Sequence, residues 1–172
     1  MEPEQAITGE PKRQPWLLRV LFENRITMHW YIVRTGLISL VPSLAIAFVL
    51  AMSGIITEDT SPRFEGPALE LIIMIVVVGP PIETLLMGCG LWALSFITKR
   101  RVPLAAMSAF VWAVLHSLMA PAWGLAVLWP FFVFSCSYLA WRQRAWWRAI
   151  LVTSCVHAFQ NVLPAVVAVA SQ

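Results

Sequence analysis

Charged side chains are scarce in this chain: Asp, Glu, Lys and Arg make up 12% of its residues, against roughly a quarter in soluble domains. So few charges cannot clothe a water-soluble surface. Cysteine is limited to Cys89, Cys136 and Cys155, each inside an apolar segment and without paired metal spacing. They read as small packing residues of reducing or lipid surroundings, and no disulfide framework is implied. A glycine-rich phosphate loop, a Walker motif, an HExxH helix and an internal repeat are all missing, which removes the sequence signs of nucleotide binding, of zincin-type proteolysis and of a repeat-built transporter. Ser117 adjoins His116 and Cys155 lies near His157, but no serine or cysteine stands at a diagnostic spacing from a histidine. Covalent catalysis is the weaker reading. The formal charge of +3 and a pI near 9.1 do not signal nucleic acid, because the basic residues sit in short clusters beside apolar runs, where membrane topology places them.

What is abundant is apolar: 59% of the residues are hydrophobic and mean hydropathy is +0.76. The runs are of a length suited to a hydrocarbon core that needs about 20 helical residues to cross. The expected fold is all-α, a polytopic transmembrane helix bundle with membrane lipid as its solvent. Residues 1–15, polar with two internal prolines and no period, read as a disordered cytoplasmic tail. Residues 16–34 mix Trp16, Leu17, Leu18, Trp30 and Tyr31 with Arg19, Arg25 and Arg34. They read equally as an amphipathic helix in the headgroup layer or as a polar lead-in to the first span. The transmembrane domain is then 35–172, with five spans expected at Thr35 to Ile56, Leu69 to Thr98, Val102 to Ala120, Ala122 to Tyr138 and Ala149 to Ala170. Lys99, Arg100 and Arg101 fill one connection and Arg142, Arg144 and Arg148 another, whereas Glu58, Asp59 and Glu65 mark the loop after the first span. By the positive-inside rule the N-terminus is cytoplasmic and the C-terminus outside, and the alternation suits five crossings. The chain is expected as a multi-pass protein of the bacterial inner (plasma) membrane. Ala51-Met52-Ser53 faintly resembles a signal-peptidase site, but the basic region before the run is too long and the run too extended, so the helix is read as uncleaved.

The second span is interrupted by Gly79-Pro80-Pro81. Proline removes backbone donors and crowds the preceding turn, so a kink near mid-membrane should free carbonyls that need another partner. Next to it stands Glu83, the one acidic residue well inside a span, since Glu70 can reach the outer interface. An ionisable group at bilayer depth costs roughly 2.5 to 3.5 kcal/mol on insertion scales, so it persists when paired, protonated or useful. A structural hydrogen bond, a proton-transport site and a catalytic base are all open to it.

Two histidines join it. His157 and Asn161 are spaced i, i+4 and share a helix face, as do Trp112 and His116. A lone intramembrane histidine is usually interhelical glue. Glu83 and His116 each lie about 15 residues from the basic turn at 99–101, roughly 20 Å above the cytoplasmic face at 1.5 Å per residue. His157 and Asn161 follow Arg148 by about 9 and 13 residues, roughly 14 to 20 Å from the same face. The four groups therefore converge in depth. A carboxylate next to a histidine can take a proton from water, and exclusion of bulk solvent makes it a stronger base. His157 and the Asn161 amide could donate to a carbonyl oxygen as negative charge develops. That set suits peptide-bond hydrolysis by activated water.

The order Pro80-Pro81-Ile82-Glu83-Thr84-Leu85-Leu86-Met87-Gly88, then Phe110-Val111-Trp112-Ala113-Val114-Leu115-His116, then His157-Ala158-Phe159-Gln160-Asn161 resembles the CPBP family of intramembrane proteases, also called the ABI or CAAX-protease family. The resemblance covers about residues 75–162, the family's four-helix catalytic core, inside a catalytic region of about 69–170. It implies a glutamate-dependent endopeptidase acting without a cofactor on a membrane-associated protein or peptide substrate. In that pattern Glu83 and His116 activate water, and His157 and Asn161 form the oxyanion site. The family's first motif is Glu-Glu-x-x-x-Arg; here Thr84 stands for the second glutamate, Gly88 for the arginine, and Trp112 for the usual phenylalanine. Thr84 is then expected to hydrogen-bond Glu83 in place of the missing ion pair. The departures point to a divergent branch with its own substrate, or to a member without activity. Two rival readings are a zinc protease, since two histidines and a glutamate are a known zinc set, and a non-enzymatic immunity or assembly factor on the same scaffold.

Overall fold

A computed structural model describes residues 15–57 and 59–170. Among these residues the chain is helical and contains no strand. A short α1 (Trp16–Phe22) precedes α2 (Met28–Met52); α3 (Ala68–Ile72) runs through a π-helical turn (Ile73–Val78) into α4 (Gly79–Leu94); α5 (Arg101–Met119), α6 (Pro121–Trp141) and α7 (Trp146–Ala170) complete the bundle. Five helical stretches, with α3 through α4 taken as one, are long and apolar enough to cross a membrane. The protein is an all-α polytopic membrane bundle. The tail expected at 1–15 lies outside the described residues except for Pro15, and so does Glu58.

The stretch expected as one unit over 16–34 is divided. Its last part is already spanning helix, because Arg34 is accommodated inside α2 by donating to Glu23 at 3.0 Å and to the Val20 carbonyl at 2.8 Å. α1 is docked to the bundle. Leu21 is fully buried, Tyr31 donates its hydroxyl to the Leu21 carbonyl at 2.6 Å, and Asn24 reaches the Ala140 carbonyl at 2.7 Å. The last carbonyls of a helix lack intrahelical donors, and Tyr31 and Arg34 of α2 serve those of Leu21 and Val20. The other boundaries shift for a similar reason: residues read as loop, such as Arg101 and Trp146, form first helical turns.

α6 is the hub, with more than half of its length buried, against a third or less of any other span. It forms a tight hairpin with α5 through Ala120, which is extended (φ −151°, ψ 119°) as the residue before a proline tends to be. A Cβ on Gly124 would run into Ser117 and the Ala113 carbonyl, so glycine permits the two helix backbones to touch. Ser135 of α6 donates to Ser108 of α5 at 3.0 Å and lies 3.4 Å from the Met87 sulfur of α4. This polar knot ties together the helices that carry Glu83 and His116.

Candidate functional site

The break expected at Gly79-Pro80-Pro81 takes the form of the π turn before it. Pro80 and Pro81 occupy the first turn of α4, and because the helix runs on unbroken from the π turn their missing N–H groups leave carbonyls there without backbone donors. The Gly79 N–H reaches back five residues to the Met74 carbonyl. A Cβ on residue 79 would lie 2.9 Å from that same oxygen, so only glycine fits the wider turn without displacing backbone. The carboxylate of Glu83 folds back over this spot, with Oε1 3.6 Å from where the Cβ would be.

Glu83 Oε2 lies 3.9 Å from Nε2 of His157 on α7. His157 is 4% exposed, whereas the Glu83 side chain keeps 31% of its surface accessible; the imidazole is sealed and the carboxylate is reachable. His157 is held by aromatic rings of α6, stacked on Phe134 at 4.4 Å and edge-on to Phe131 at 5.6 Å. Phe131 also touches His116 at 5.1 Å. The two imidazoles flank one ring.

Among the described residues no ion pair of 4.0 Å or less joins Glu83 to His116, and the carboxylate's near partner is His157. The helix ends explain this. Glu83 stands 11 residues from the Leu94 end of α4 and His157 stands 11 from the Trp146 start of α7, each roughly 16 Å deep. His116 and Asn161 both stand 15 residues into their helices, roughly 22 Å deep and nearly one turn farther from the basic loops. His116 accordingly lies toward the opposite end, where Trp123 meets its ring edge-on at 4.6 Å and Phe64 of the loop after α2 meets Trp123 at 5.8 Å. Its Nδ1 is 2.8 Å from the Trp112 carbonyl. A carbonyl only accepts, so Nδ1 carries hydrogen and the neutral ring presents Nε2 as an acceptor. Trp112 itself stacks on Phe131 at 4.6 Å.

Asn161 does not stand free beside His157. Its Nδ2 donates to the Ile75 carbonyl in the π turn at 3.0 Å, leaving one further amide hydrogen. Thr84 does not hydrogen-bond Glu83, because adjacent helical residues point to different faces; it is 1% exposed and its hydroxyl has no partner among the described residues. At Gly88 a Cβ would fall 2.6 Å from the Tyr138 hydroxyl, so Tyr138 fills the space beside the position where the resembled family carries arginine.

The chain matches no family model, no curated protein and no solved structure.

As a zinc site the arrangement is incomplete. Zinc needs at least three protein donors at about 2.0–2.2 Å, and among the described residues no group of three or more histidine, cysteine, aspartate or glutamate side chains is spaced to hold a metal. Phe131, Phe134, Trp123 and Tyr138 shape the site without any sign in the sequence, since in an apolar chain a ring that cradles a histidine has the same residue type as one that faces lipid.

Proposed function

We propose that this protein is an intramembrane endopeptidase of the bacterial plasma membrane, with its N-terminus cytoplasmic, that hydrolyses a peptide bond of a membrane-associated protein by water activated at Glu83. The observation that carries this reading is the approach of Glu83 to His157 at 3.9 Å, an ionisable pair between two spanning helices. The spacing is too long for a direct hydrogen bond, and a water about 2.8 Å from each atom would subtend an angle of about 90° between them. Such a water gives its proton to Glu83 as its oxygen attacks the substrate carbonyl, and the proton then passes to the leaving amine. His157 orients the water. The second amide hydrogen of Asn161 is available to the developing oxyanion, and Nε2 of His116, one turn farther out, is available to relay the proton. The resemblance of the three motifs to CPBP proteases supports the choice of Glu83, His116, His157 and Asn161 as the site; in that pattern His116 is the histidine paired with Glu83 and His157 shares the oxyanion role, whereas here His157 takes the place beside the carboxylate.

The test is substrate trapping. Glu83→Gln keeps the shape of the side chain and removes the base, so it should retain a bound chain that can be captured from membranes and identified by mass spectrometry. Purified wild-type protein should cleave that chain and Glu83→Gln should not. Equal cleavage by both proteins would overturn the mechanism.

A further inference from the structure

We propose that Asn161 is a positioning residue for Glu83: its amide supplies the hydrogen bond that Pro80 denies to the Ile75 carbonyl, and so holds the π turn on which the carboxylate rests. In an α register the donor to Ile75 would be the Gly79 N–H, but that group is spent on Met74. In the π register the donor would be residue 80, and proline has none. Ile75 is therefore left without a backbone donor inside an apolar bundle, where an unpaired carbonyl costs several kcal/mol. Asn161 Nδ2 fills that role at 3.0 Å across the helix interface. The connection to Glu83 is short. The turn held by Asn161 ends at Gly79, whose Cα face lies under Glu83 Oε1, and His157, to which the carboxylate points, is one turn from Asn161 on the same face of α7. One helix thus fixes both the carboxylate's support and its partner.

This assignment rests on the proposed function only in calling Glu83 catalytic, and its test needs no substrate. The full-length protein is purified in detergent as wild type, Asn161→Leu, Pro80→Ala and the double variant. Leucine keeps the branched four-atom outline of asparagine and removes the donor, while alanine at 80 returns a backbone N–H that can serve Ile75. Asn161→Leu should lower Tm clearly in the wild-type background and much less in the Pro80→Ala background. The second readout is labelling of carboxyl groups by a membrane-soluble carbodiimide at a temperature where every variant is folded, quantified by mass spectrometry. Asn161→Leu should raise the labelling rate at Glu83 several-fold and leave Glu70, on α3 before the π turn, unchanged. A general loosening of the fold would raise both. An equal Tm loss in the two backgrounds, or unchanged labelling at Glu83, would overturn the proposal. Normal cleavage by Glu83→Gln would overturn the protease reading alone.

Discussion

A Cβ placed on Gly88 of α4 would sit 2.6 Å from the hydroxyl of Tyr138 on α6 and 3.0 Å or less from two of its ring carbons. The ring is 8% exposed and cannot retreat without disturbing the core around it. Gly88→Ala should therefore cost about 1 to 3 kcal/mol by overpacking, read as a lower Tm. Adding Tyr138→Phe, which removes the nearest atom, should recover part of the loss. A Gly88→Ala protein as stable as wild type would show that α4 and α6 are not in such close contact.

Glu83→Gln and His157→Ala should each abolish substrate cleavage, and His116→Ala should be severe. Glu83→Gln should leave Tm unchanged or raised, since replacing an ionisable group in an apolar bundle removes a desolvation cost. Assays on the trapped substrate, paired with thermal unfolding, check this. Full activity in Glu83→Gln would dispose of the water-activation scheme.

Thr84→Val exchanges a buried hydroxyl without a partner for a methyl of similar size. It should leave activity intact and stability equal or up to about 1 kcal/mol higher. Loss of cleavage in this variant would mean that Thr84 does support Glu83.

Phe131 lies against His116, His157, Trp112 and Phe134. Phe131→Ala should destabilise the bundle by about 3 to 5 kcal/mol through the cavity it leaves, while Phe131→Leu should fold and lose activity as the two imidazoles lose their common wall. Comparison of Tm with cleavage rate separates the two effects.

Tyr31→Phe leaves the Leu21 carbonyl without its 2.6 Å donor. A cost of about 1 to 3 kcal/mol follows from the unpaired buried acceptor, and α1 should detach. Faster trypsin cleavage at Arg19 and Arg25 would report it; unchanged cleavage would mean that Leu21 packing and the Arg34 and Asn24 hydrogen bonds hold α1 without it.

The five crossings and the break before Glu83 were legible in residue order, because apolar run length, proline chemistry and basic clusters are local properties. Helical rise alone also brought Glu83, His116, His157 and Asn161 to within about one turn of one another in depth. The partner of Glu83 was not legible. It turned on where α4 and α7 begin and end, and a shift of three or four residues moves a side chain by a whole turn.

By itself, then, the sequence determined that the chain is a membrane-spanning helix bundle with costly polar groups inside its spans, since lipid demands apolar helices and penalises each exception. Only the tertiary structure decided that Glu83 faces His157, that Thr84 stands without a partner, that Tyr138 fills the space beside Gly88, and that Asn161 is bonded to Ile75. Those outcomes depend on how helices distant in sequence rotate and meet, and the backbone carbonyl of Ile75 carries no mark in the residue order.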